Sequence, residues 1–113
     1  MAAIEYTLLK YLNDNLNGIQ AYMEEPRGHA NEYVIIEKTG SSVENLINSA
    51  TFAIQSYSTS MQGAIDLNED VKAVMDHFWE HSAVYSCRLN SDYNFTDTDT
   101  QRYRYQAVYD LTF

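Results

Sequence analysis

Residues 60–80, SMQGAIDLNEDVKAVMDHFWE, set Ala64, Leu67, Val71, Val74, Met75 and Phe78 at spacings of three, four and seven. That period lays them along one stripe of an α-helix, with Glu69, Asp70, Ala73, Asp76, His77 and Glu80 largely on the opposite face. A helix of roughly 20 residues is about 30 Å long, enough to cross a small domain, and a single buried stripe needs a sheet to lie on. The rest of the chain must supply that sheet.

Residues 2–17 carry Ile4, Leu8, Tyr11, Leu12 and Leu16 at helical spacing, and Gly18 stands where a helix ends in a left-handed residue. Ile19, Ala21 and Met23 then alternate with Gln20, Tyr22 and Glu24, the period of a half-buried strand, until Pro26-Arg27-Gly28 breaks it. Residues 33–39 are short and β-branched, a second strand expected to stop at Gly40-Ser41-Ser42. Residues 43–50 mix Leu46 and Ile47 with polar side chains and read as a loop holding at most one helical turn. A third strand follows over 51–57, with Phe52 and Ile54 on one face, and Ser58, Thr59 or Ser60 supplies a hydroxyl to cap the long helix.

After that helix, residues 83–90 alternate Tyr85, Cys87 and Leu89 against Ser86, Arg88 and Asn90, a fourth strand. A polar loop over 91–101 leads to residues 102–113, where Tyr103, Tyr105, Ala107, Tyr109, Leu111 and Phe113 share one face, opposite Arg104, Gln106, Val108, Asp110 and Thr112. Twelve residues in a strand span roughly 40 Å, so the C-terminal hairpin is expected to project from the body. The expectation is one α+β domain over 1–113: two helices packed on one face of a mostly antiparallel sheet of about five strands, with a projecting C-terminal hairpin.

Composition narrows the function classes. A chain of 113 residues, 45% hydrophobic and 20% charged, builds one core without staples. No apolar run is long enough to span a bilayer and the N-terminus lacks the order of a signal peptide, so the chain is expected to fold in a cytoplasm. A single cysteine, Cys87, excludes an intrachain disulfide and the four-cysteine zinc sites. The net charge of −9 repels phosphate backbones and anionic headgroups, which argues against tight DNA binding by a monomer. Ten tyrosines, against four phenylalanines and one tryptophan, suit surfaces that meet a partner.

The patterns that could carry chemistry are weak. His77 and His81 share a helical face with Glu80 beside them, but the zinc-protease pattern needs a glutamate directly after the first histidine, where Phe78 stands. A small metal-dependent enzyme or binding protein built on that pair is the competing functional class. Asp92, Asp97 and Asp99 crowd one loop without the glycine and bidentate glutamate of a calcium loop. Cys87 with His29, His77 or His81 as base would make a nucleophile, yet its strand face points to the core, where a thiol acts as a small apolar group. There is no serine elbow and no phosphate-binding glycine loop. Arg88, Arg102 and Arg104 suit carboxylates of a neighbouring subunit on so acidic a protein. No catalytic residue, metal ligand or cofactor is assigned.

Taken together, an N-terminal helix, a run of three strands, a long helix after TFAIQSYS and a closing hairpin, DYNF-TDTDT-QRYRYQAVYDLTF, resemble the tail terminator proteins of long-tailed phages and prophages. The resemblance covers essentially the whole chain. Its most specific parts are Tyr93-Asn94-Phe95 with the aspartates that follow, and Arg104-Tyr105-Gln106-Ala107; looser parts are Glu37-Lys38-Thr39-Gly40 and Ala53-Ile54-Gln55-Ser56-Tyr57. It implies a structural protein of the virion neck, assembled in the bacterial host cytoplasm, typically as a hexameric ring. Such a ring caps the tail-tube protein, stops tube growth and meets the head connector or stopper protein, with DNA only as transiting cargo. A head-completion or connector protein of the neck is the neighbouring alternative. On this reading Asp92, Tyr93, Asn94, Phe95, Arg102, Tyr103, Arg104 and Tyr105, with the loop over 92–101, are expected to contact a neighbouring subunit or the tube.

Overall fold

A computed structural model of the chain describes residues 3–28, 30–100 and 102–113. His29, named above as a possible base, and the positions 2 and 101 that bound two of the stretches above lie outside the described residues. The elements run α1 (Ile4–Asn15), β1 (Gln20–Tyr22), β2 (Tyr33–Glu44), β3 (Ile47–Ser58), α2 (Met61–Met75), a 3-10 turn (Phe78–Glu80), β4 (Ser86–Asn94) and β5 (Tyr103–Thr112). The strands form one five-stranded sheet in the order β1-β2-β3-β5-β4. Only the short β1 pairs in parallel; every other neighbour is antiparallel. The α+β class, the two helices and the five mostly antiparallel strands are those that the periodicities require.

Both helices lie on one face, as their single stripes demand. Ile4, Leu8 and Leu12 of α1 and Leu67, Val71 and Met75 of α2 share a core with Val34 and Ile36 of β2, Phe52 and Ile54 of β3, and Ala107, Tyr109 and Leu111 of β5. Tyr11 joins the two helices by donating its hydroxyl to the Val74 carbonyl at 2.6 Å. The Ser60 hydroxyl accepts from the Gly63 N–H at 3.0 Å and so caps α2, the role expected of one of the three hydroxyls there. α2 is shorter than its sequence stripe. It ends at Met75, and a tight 3-10 turn carries Phe78 into the same core.

Two expectations need correcting. Gly40-Ser41-Ser42 does not stop β2, and residues 43–50 are not a loop: β2 continues to Glu44 and β3 begins at Ile47, joined by a two-residue turn at Asn45 and Leu46. The ladder is made of backbone groups, so small hydroxyl side chains continue it as well as apolar ones, and the irregularity at Gly40 is a β-bulge that shifts the register between Lys38 and Gly40. The C-terminal hairpin also does not project. β5 lies between β3 and β4 along its length, and the connection before it folds back so that Arg102 reaches Glu25 and Tyr33.

The hairpin that leaves the body is β2–β3. Residues 37–44 are exposed, and the tip over 44–47 stands beyond Asn48, which pairs with the terminal Phe113. The molecule measures 44 × 25 × 25 Å. Asn45 and Leu46 have φ of 51° and 65°, the two left-handed residues of a type I′ turn, where asparagine followed by glycine is the favoured pair. A leucine there carries the left-handed penalty of its Cβ, roughly 1–2 kcal/mol. Leu46→Gly is therefore expected to raise unfolding stability by about 1 kcal/mol, read as a higher midpoint in a thermal melt.

Candidate interaction face of the sheet

Alternation along the strands sends a second set of side chains away from the helices. The register lines Tyr33 of β2 with Tyr57 of β3 and Arg104 of β5, and next to that row Ile35 with Gln55, Gln106 and Tyr93 of β4. Although no helix covers this face, Tyr33, Ile35, Gln55, Tyr57 and Gln106 are all buried, because large neighbours in adjacent rows shield one another. Buried polar groups need partners.

The partners form one directed chain. Arg104 donates through Nη1 to the Tyr57 hydroxyl at 2.8 Å, and Tyr57 donates to Gln55 Oε1 at 3.1 Å. Gln55 Nε2 donates to Gln106 Oε1 at 2.9 Å, and Gln106 Nε2 donates to the Tyr93 hydroxyl at 2.6 Å. Between the donor Arg104 and the acceptor Tyr93, the side chains of Tyr57, Gln55 and Gln106 each accept from one side and donate to the other, an arrangement in which successive bonds polarise one another. The Tyr93 side chain, 42% exposed, ends the chain at the surface with its hydroxyl proton still to give. The Tyr93 and Phe95 rings meet edge to face at 6.0 Å, and Phe95 carries the Arg104 guanidinium 4.4 Å above its ring while its carbonyl accepts from Arg104 Nε at 2.6 Å.

A second cluster anchors the connection before β5. Tyr33 and Tyr57 stack at 4.8 Å with their rings 6° apart, and Arg102 lies 5.0 Å over the Tyr57 ring. Arg102 donates to Glu25 and to the Tyr33 hydroxyl, while that hydroxyl donates to Glu25 at 3.1 Å. Burial, then the hydrogen bond to Glu25, pushes the Tyr33 phenol up to about 12. The Glu25 carboxylate in turn raises the Arg102 pKa.

The expected interface residues therefore divide between two faces. Tyr93, Phe95, Arg102 and Arg104 converge on the open face. Asp92 points to the helix side, where it accepts from Asn68 Nδ2 and Lys72 Nζ, each at 3.0 Å, and ties the edge strand β4 to α2. Tyr103 and Tyr105 are half-buried and share the helix-side alternation of Ala107 and Tyr109. Asn94 Oδ1 accepts from the Thr96 N–H at 2.9 Å and closes a turn. Tyr33, Gln55, Tyr57 and Glu25 were not among the interface residues expected from sequence, although Gln55 and Tyr57 fall in one of the looser matching stretches. Their signal is alternation, which also groups Arg104 with Gln106, but joining the two sets requires the β3–β5 register.

The other sequence candidates find local partners. His81 Nδ1 accepts from the Ala83 N–H at 3.1 Å, and His77 Nδ1 lies 3.5 Å from Glu80. Asp97 Oδ1 accepts from the Asp99 N–H at 2.9 Å, and that bond holds its carboxyl below the usual range. Among the described residues no three His, Cys, Asp or Glu side chains gather as a metal ion requires. Burial, then the Asp76 charge, pushes the Cys87 thiol up to about 12, far from a nucleophilic thiolate at neutral pH. The chain matches no protein-family model and none of the curated proteins.

Two outcomes check the network. Gln106→Leu strands the Gln55 amide and is expected to cost about 1–3 kcal/mol in urea unfolding, whereas the double change Gln55→Leu with Gln106→Leu costs less than the two singles summed. The Tyr33 phenol, harder to ionise in the fold than in the unfolded chain, contributes stability in full below pH 10 that is lost as pH rises through about 12. Tyr33→Phe is expected to delete one late-titrating phenol from an alkaline absorbance titration.

Proposed function

We propose that the chain is a structural protein of a phage neck, a tail terminator that caps the tail tube, ends its elongation and works by shape and contact. The observation that carries the proposal is the order helix, three strands, helix, hairpin, on which the sequence resemblance rests and in which the elements fold. The residues most specific to that resemblance give it further support. Tyr93, Phe95 and Arg104 sit on a sheet face without a helix layer, held rigid by a continuous hydrogen-bond chain, as suits a surface that must dock repeatedly in one geometry. The pre-ordered aromatic and arginine side chains there are the types that anchor interfaces.

The charge supports a conduit. At −9 per copy, a ring presents a wall from which DNA slides rather than one it grips, since counterion release favours basic walls. Partners follow from the role: further copies of the chain, the tail-tube protein below and a head connector or stopper above, with the head side of the neck as the alternative station.

Electron microscopy of the protein mixed with polymerising tail-tube subunits of the same phage tests the proposal. Tubes that stop at a defined end bearing extra density are the expected result, and tubes that grow bare and unchecked refute the terminator role. Arg104→Ala, which removes the anchor of Phe95 and Tyr57, is expected to weaken capping without unfolding the helix-side core.

A further inference from the structure

Of the nine asparagines, Asn17 alone precedes a glycine. The pair forms the turn between α1 and β1, where both residues are exposed and Gly18 takes a left-handed φ of 72°. Among the described residues, neither the Asn17 carboxamide nor the Gly18 N–H has a hydrogen-bond partner. A Cβ placed on Gly18 meets nothing within 4 Å, so no neighbour shields this stretch of backbone. The other asparagines differ. Asn13, Asn15, Asn68, Asn90 and Asn94 commit their carboxamides to hydrogen bonds, and the residue after every other asparagine carries a side chain.

We propose that the Asn17-Gly18 turn is a site of spontaneous deamidation, and that its products loosen the α1 end of the fold. The Gly18 N–H loses its proton, the nitrogen bonds to Asn17 Cγ, and the Cγ–Nδ2 bond breaks as ammonia takes up a proton and leaves. Glycine suits the attack because no Cβ crowds its nitrogen. Water then opens the five-membered imide in one of two ways. Breaking the new bond to Cγ restores the main chain and leaves a carboxylate on the side chain. Breaking the bond to the Asn17 carbonyl carbon leaves the main chain running through Cβ and Cγ, an isoaspartyl linkage one carbon longer. Water is the one co-reactant.

The surroundings make both products unfavourable. Asn17 lines a cavity of about 280 Å³ together with Asp70 and Val74 of α2. A carboxylate at position 17 therefore shares that cleft with a like charge. It also stands just past α1, whose last turn has no basic residue to offset negative charge at that end of the helix dipole. The longer isoaspartyl chain meets a different obstacle, because the turn is fixed at both ends. Leu16 is buried in the core, and Asn13 clamps Ala21 by accepting from its N–H at 2.7 Å and donating to its carbonyl at 3.3 Å. Tyr93, Phe95 and Arg104 lie on the other side of the sheet from α1, so the change leaves the open face as it is.

Peptide mapping by mass spectrometry of the folded protein, held warm in mildly alkaline buffer, tests the reaction. The segment holding residues 17 and 18 is expected to gain about 1 Da before any other asparagine-bearing segment, with a share of it in the isoaspartyl form. Asn17→Gln is expected to abolish that gain, since closing the larger ring is slow. A first gain at another asparagine overturns the proposal. So does a rate in the folded protein more than about tenfold below the rate in urea, because the fold then shields the pair. Asn17→Asp, set beside Asn17→Ser, is expected to lower the thermal midpoint by about 2–4 °C, with the gap narrowing in high salt. Equal midpoints overturn the loosening assigned to the new carboxylate.

Discussion

β3 is buried on both of its faces, and the rest of the molecule is arranged to make that possible. Residues 52–57 are buried without interruption, with Phe52, Ile54 and Ser56 facing the helices and Ala53, Gln55 and Tyr57 facing away. On the helix side the solution is packing under α1 and α2, apolar except for the buried Ser56 and Asn68 and the Tyr109 hydroxyl. On the open side no helix is available, so burial comes from the width of the neighbouring side chains, and each buried polar atom has to be answered within the sheet. Gln55 sits where one amide can bridge to β5 and one phenol of its own strand, and the chain from Arg104 to Tyr93 follows from that need. The rigidity of the open face is thus a consequence of burying the central strand.

Electrostatics then fix the outer elements. Two lysines close the helix layer onto the sheet: Lys38 of β2 reaches Glu5 of α1 at 3.0 Å, and Lys72 of α2 reaches Asp92 of β4 at 3.0 Å. The Glu5 carboxyl is held below its ordinary range first by the Lys38 hydrogen bond, so that tie stands at neutral pH and is lost as pH falls through the carboxylate range. Both ties are partly exposed and individually weak. Their value is positional. They bind the β2 and β4 sides of the sheet to different helices, so the sheet cannot slide under its cover.

Much of this was legible beforehand because it depends on period. The stripes of Leu8 and Leu12, and of Leu67, Val71 and Met75, and the unbroken alternation through Tyr105, Ala107, Tyr109 and Leu111, each specify one buried face without knowledge of the partner. What was not legible depends on pairing. Residues 40–49 are mostly polar on both faces, so their strand character comes from the ladder between β2 and β3 and leaves no mark in the side chains. Leu46 conceals a turn that glycine would have announced. At the candidate site, Arg102, Arg104, Tyr93 and Phe95 stood out as types and alternation alone set Tyr105 opposite Arg104, but Asp92 was separated from them only by register and by the bulge between Leu89 and Ser91.

That bulge bears on how the molecule presents itself. β4 is an edge strand nine residues long, the kind of edge that invites uncontrolled pairing with another chain. Here the bulge breaks its regular spacing, Arg88 projects from its exposed side, and Asp92 is turned inward to Lys72, three devices that blunt the edge. At the opposite edge β1 is only three residues long. Neither edge of the sheet is therefore a good template for adding strands. What the sheet offers at its surface is therefore side chains, the pre-ordered Tyr93, Phe95 and Arg104 of the open face among them, rather than a row of free backbone groups.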